Sequence, residues 1–155
     1  MRYSASTFGD FKCGHCGAWV SSAHLLSGVH NRNHCPYCLW SCHLDLYAAG
    51  DRLSACKGQM RPIGLTMKLG RNKYRLEKGG ELMLVHQCTD CGTLSINRIA
   101  ADDDASTVIR VFENSLGNSM PAVCESRGIR LLQEQDTNVI YKQLFGSLEA
   151  PVTVW

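Results

Sequence analysis

The residues most able to do chemistry in this 155-residue chain are its nine cysteines and six histidines. Six of the cysteines fall in Cys-x-x-Cys pairs, Cys13/Cys16, Cys35/Cys38 and Cys88/Cys91. Two thiolates on one tight turn bind the same ion with little further loss of entropy, and a second such turn completes a tetrahedron. Eighteen residues lie between Cys16 and Cys35, the spacing of a four-cysteine zinc ribbon. Cys13, Cys16, Cys35 and Cys38 are therefore expected to hold one structural Zn2+. Cys35-Pro36-Tyr37-Cys38 also spells a glutaredoxin-like dithiol. That motif belongs after a first strand, opening a helix, in a chain without a second dithiol at ribbon spacing. For a second Zn2+, Cys88 and Cys91 supply two ligands and Cys56 a third. The fourth is Cys42, His43 or His86. Cys42 is attractive as a thiol, whereas His86 would have to share its ion with the turn two residues later. A cross-brace would instead join Cys13 and Cys16 to Cys56. Sequential pairing is preferred, because the first four cysteines already suffice.

Other chemistries find less support. A zinc deaminase needs His-x-Glu ahead of Pro-Cys-x-x-Cys, and this chain has Cys-Pro-x-Cys with no His-x-Glu. No Ser-His-Asp order, phosphate-binding glycine loop or His-Glu-x-x-His helix is present. Whether the protein is an enzyme is left open by the sequence, with the weight against it. Cys124 reads as a small apolar residue and His34 as a support for the metal loop.

A formal charge of +2 gives no global drive toward nucleic acid. That average hides an uneven distribution. Residues Lys57 to Lys78 hold seven bases and one acid, and Ala101 to Asp136 seven acids and three bases. The first ten residues contain no signal-like apolar run. No apolar stretch approaches the roughly 18 residues that span a bilayer. A cytoplasmic location without a membrane partner is the expectation, and thiols kept reduced there again favour metal over disulfides.

Turns must present these ligands. Phe11 and Ala18–Val20 flank Cys13-x-x-Cys16-Gly17 as strands, and Glu81–Gln87 and Thr93–Ile99 flank Cys88-x-x-Cys91-Gly92 in the same way. The glycine turns the chain back at positive φ. Residues 21–34 read as loop, and Leu39–Ala49 as a weak helix. Gly79-Gly80 is expected to close a hairpin between Lys73–Lys78 and Glu81–Gln87. Asp103 or Asp104 should cap a helix reaching Leu116, with the run Asp102-Asp103-Asp104 solvated. Ile129–Leu132 suggests a short strand. A final helix should run from Asp136 or Thr137 to Phe145, closed by Gly146.

Arg32-Asn33-His34-Cys35-Pro36 carries a further signal. With Cys13-x-x-Cys16-Gly17, Cys38-Leu39-x-Ser41-x-His43, Gly50-Asp51-Arg52, Met60-x-Pro62-Ile63, His86-x-Cys88-x-x-Cys91-Gly92 and Asn97-Arg98, it resembles the RNHCP domain family over about residues 10–104. The resemblance implies a bacterial, cytoplasmic zinc-binding domain of unassigned activity. It also implies His43 as the fourth ligand of the second site, since the family pattern has histidine there and is variable at Cys42.

The expected fold is α+β, a small β-rich zinc-binding fold with zinc-ribbon-like hairpins and two zinc sites. Residues 1–100 form an RNHCP-like double-zinc domain, and residues 101–155 an acidic linker with a helical or mixed C-terminal extension. The leading functional expectation is a structural zinc protein that binds nucleic acid, RNA before DNA, or a ribonucleoprotein. Its candidate contacts are Arg32, Arg52, Arg61, Lys73, Tyr74, Arg75 and Arg98. A protein-interaction adaptor ranks second and a zinc-dependent enzyme third. No small-molecule cofactor is expected.

Overall fold

The computed structural model describes residues 10–29, 32–46, 52–68 and 80–146. Strands β1 (Phe11–Lys12) and β2 (Trp19–Val20) pair antiparallel across the first metal turn, Phe11 opposite Val20. A one-turn helix, α1 (His24–Ser27), interrupts the expected loop. The main sheet has four antiparallel strands in sequence order: β3 (Ser41–Cys42), β4 (Gln59–Lys68), β5 (Glu81–Cys88) and β6 (Leu94–Arg98).

β5 shows why the sheet sits at the centre. Leu82, Met83, Leu84 and Val85 are all buried, so successive side chains meet apolar cover on opposite faces. On one face Leu65, Leu82 and Leu84 pack with Leu39, with Val108 and Phe112 of α2 (Ala105–Ser115) and with Ile140 of α4 (Thr137–Phe145). On the other, Ile63 and Val85 pack with Leu131 and with Cys124 of α3 (Met120–Glu125). Val108, Phe112 and Ser115 recur at helical spacing, which turns one stripe of α2 onto the sheet. The chain is thus mixed α+β, with a β-sheet core and helices laid on both faces.

Several expectations give way to packing. No helix forms between Leu39 and Leu46, the described part of that span: Ser41 and Cys42 pair with Met60 and Gln59 as β3 instead. β5 pairs with β4, a strand that the sequence hides because Pro62 and Gly64 lie inside it. The register shifts between these two residues, and a Cβ on Gly64 would lie 2.9 Å from Leu131 Cδ2. The strand expected at Lys73–Lys78 lies outside the described residues. Residues 129–132 form no strand, although Leu132 N–H donates to Leu65 O (2.8 Å) and Thr66 Oγ1 donates to Arg130 O (2.7 Å). α3 was not anticipated. Pro121 lies in its first turn, where the missing N–H is harmless. The C-terminal helix ends as expected, with Gly146 left-handed at φ 71°.

Candidate metal centres

Three copies of one turn build both centres. In the first, Cys13 N–H donates to Ala18 O (2.8 Å) and Gly17 N–H returns to Cys13 O (2.9 Å). Cys88 repeats this with Thr93 O (2.9 Å) and Gly92 N–H (3.0 Å). Cys35 repeats it again with Trp40 O (2.9 Å) and Leu39 N–H (2.9 Å). The residue after the second cysteine takes positive φ each time: Gly17 at 79°, Gly92 at 77° and Leu39 at 65°. Only two of these turns show the glycine in sequence, so the third copy was not recognised. Leu39 adopts a conformation costly for an L-residue because its side chain, fully buried, belongs to the main core.

The turns bring sulfurs together. Cys13 Sγ lies 3.6 Å from Cys38 Sγ, and Cys16 Sγ lies 3.6 Å from Cys35 Sγ. Backbone N–H groups of His15 and Tyr37 point at Cys13 Sγ and Cys35 Sγ, each at 3.4 Å. In the second cluster Cys56 Sγ lies 3.6 Å from Cys88 Sγ, and His43 Nδ1 lies 3.4 Å from Cys91 Sγ. Within each set of four the donor atoms all lie within 4.8 Å of one another. A tetrahedron with Zn–S bonds of about 2.3 Å has edges of about 3.8 Å, which these spacings match. They are far too long for disulfides, and all nine cysteines are free thiols. The two clusters fit two structural zinc ions, one held by four thiolates and one by three thiolates and an imidazole.

Burial pushes the Cys38 thiol up, a cost that a bound divalent ion would offset. Cys91 is held down to about 6 by hydrogen bonding to the Thr93 hydroxyl, 3.1 Å away, and to the Thr93 backbone. The other candidates for the fourth ligand stand aside. Cys42 Sγ donates to Lys57 O (3.4 Å). His86 is fully buried, its Nε2 2.7 Å from Leu39 O and its Nδ1 2.8 Å from Asn97 Nδ2. Burial, then the neighbouring His34, lowers its pKa to about 3, so it is neutral.

The loop leading into Cys35 locks the first centre to the sheet. Arg32, its side chain fully buried, meets Asp102 (2.7 Å) and Asp103 (3.3 Å) and donates through Nε to His34 O (3.1 Å). Asn33 bridges Asp45 and Arg52. His34 Nε2 lies 2.7 Å from Asp103 Oδ2, which also accepts Ala100 N–H (2.8 Å). Pro36 O accepts Asp104 N–H (3.0 Å). Each residue from Arg32 to Pro36 therefore holds the metal turn in place, and Asp103 is buried rather than solvated. The RNHCP domain model matches residues 8–109. The chain belongs to the RNHCP family. No curated protein and no solved structure matches it significantly. As an RNHCP protein it is a metal-binding structural domain, and no helix among the described residues is long and apolar enough to cross a membrane.

Three of the candidate nucleic-acid contacts are engaged within the chain. Arg32, Arg52 and Arg98 are each paired with an acid: Asp102 and Asp103, Asp45 (3.6 Å) and Glu81 (2.7 Å). Lys73, Tyr74 and Arg75 lie outside the described residues. Arg61 is exposed, and its side chain has neither hydrogen bond nor ion pair among the described residues. Aromatic rings missed by the sequence reading crowd the first centre instead. Trp19 and Tyr37 are 71 % and 63 % exposed, and His15 stacks on Trp40 with centroids 4.0 Å apart. Their signal in sequence was position alone: one lies inside each of the first two Cys-x-x-Cys pairs and one just beyond it.

Proposed function

We propose that this RNHCP protein is a structural zinc module that binds single-stranded RNA. The observation that carries the reading is the set of aromatic rings presented to solvent by the first metal turns. Holding Trp19 and Tyr37 out of the core forfeits apolar burial, and bases stacking on them would recover about 1–3 kcal/mol each. Metal-fixed turns present such rings with little entropy left to lose on binding. The basic stretch beginning at Lys57 supports the same partner through phosphate contacts, and stacking favours single strands over duplex DNA. Each metal cluster offers four protein donors, as closed structural sites do.

The test is fluorescence anisotropy of a labelled oligouridine against salt. Binding that weakens steadily as salt rises and quenches tryptophan emission is expected. No affinity at low salt, or a preference for duplex DNA, would contradict the proposal. An adaptor role draws support from Leu25, 98 % exposed on α1. Partners that survive nuclease treatment in a pull-down would favour it.

A further inference from the structure

A cleft of about 510 Å³ opens beside the first metal centre, within the size range of ligand sites. One wall is the face of α2 carrying Thr107, Arg110, Val111 and Asn114, which share that face by their spacing of three, one and three residues. Arg61, Pro62 and Ile63 of β4 line it too, as do Cys38 and Trp40 from the second metal turn.

Its charge is one-sided. Arg61 and Arg110 both line the cleft, and no aspartate or glutamate does. Both arginines are exposed, and neither side chain makes a hydrogen bond or ion pair among the described residues. This contrasts with Arg32, Arg52, Arg98 and Arg130, each of which meets an acid. Glu113 stands one helical turn from Arg110, close enough in sequence for an intrahelical pair that does not form. Two unneutralised guanidinium groups in one concavity concentrate positive potential there, and their planar donor forks match phosphate oxygens.

We infer that this cleft is the seat of the RNA backbone, with Arg61 and Arg110 each holding a phosphate and Trp40, already stacked on His15, marking the end where bases meet the aromatic turns. The inference rests on the RNA-binding reading above and adds to it the place and the residues. A competing role exists for the same cations. Four thiolates on one Zn2+ carry a net charge of −2, and Cys38 shares the cleft, so the arginines could serve to offset the metal centre.

The experiment compares oligouridine binding by the full zinc-loaded chain, by Arg61→Gln/Arg110→Gln and by the charge-matched Arg130→Gln/Lys142→Gln, with zinc content measured throughout. The inference expects the cleft variant to lose about tenfold or more in affinity and its salt slope to fall by about 1.4, the value for two lost single-strand phosphate contacts. The control should change little, and both variants should keep two zinc ions. Arg61→Lys/Arg110→Lys should recover part of the affinity. If the wild type binds RNA and the cleft variant binds as well as the control, the cleft assignment fails while the RNA-binding reading stands. If the wild type binds no RNA, both fail. Zinc loss from the cleft variant in step with lost binding would assign the arginines to the metal centre and overturn the inference.

Discussion

His43 is buried and places Nδ1 3.4 Å from Cys91 Sγ, whereas the neighbouring Cys42 thiol is engaged with the Lys57 carbonyl. His43 directly follows β3, its N–H donating to Gly58 O (2.9 Å) and its carbonyl accepting from Lys57 N–H (3.2 Å), and its side chain reaches the second cluster while that of Cys42 does not. His43→Ala should therefore lower the zinc content measured by native mass spectrometry from two ions toward one, and Cys42→Ala should leave it at two. At Arg32 the stake is charge. Its removal leaves the fully buried Asp103 carboxylate without its guanidinium, and loss of one partner of a buried pair costs about 3–5 kcal/mol. Arg32→Ala should show that loss in urea unfolding of the zinc-loaded protein. A loss under 1 kcal/mol would mean that the ion pair does not anchor the metal loop.

At the scale of the element, the three metal turns differ in how they accommodate a left-handed residue. Gly17 and Gly92 adopt it freely, while Leu39 occupies it for the sake of its buried side chain. Leu39→Gly relieves about 1–2 kcal/mol of backbone strain but empties a core position, where loss of a leucine costs about 2–5 kcal/mol even when alanine replaces it. Net destabilisation in thermal melts is expected, and a stabilised variant would contradict it. Gly64→Ala should also destabilise, by about 1–3 kcal/mol, because its Cβ would press on Leu131. These residues also mark what the sequence could show. The strand–turn–strand units at Cys13 and Cys88, the helix begun after Asp104 and the helix closed by Gly146 were legible, because local chemistry alone fixes them. β4 was not, since Pro62 and Gly64 are tolerated only through a register shift and a close approach of Leu131. The third turn was hidden because tertiary burial, not glycine, stabilises Leu39. Burial of Asp103 depends on Arg32, seventy-one positions away, and no local pattern announces it.

Across the whole molecule, the sheet core formed by Leu65, Leu84, Val108, Phe112 and Ile140 gives one side of the protein an apolar interior. Among the described residues the β1–β2 hairpin has only the small cluster around Cys13, Val20 and Cys35. That end depends on its metal, and zinc can contribute on the order of 10 kcal/mol to such a fold. Chelation should collapse the hairpin first, with exchange protection lost at Phe11–Val20 before β5. X-ray absorption at the zinc edge of the purified protein tests the central claim most directly. Two ions sharing seven sulfurs and one imidazole nitrogen, with Zn–S near 2.3 Å and Zn–N near 2.0 Å, is the expected result. Oxygen ligands at either ion, one zinc per chain, or cysteines paired as disulfides would contradict it.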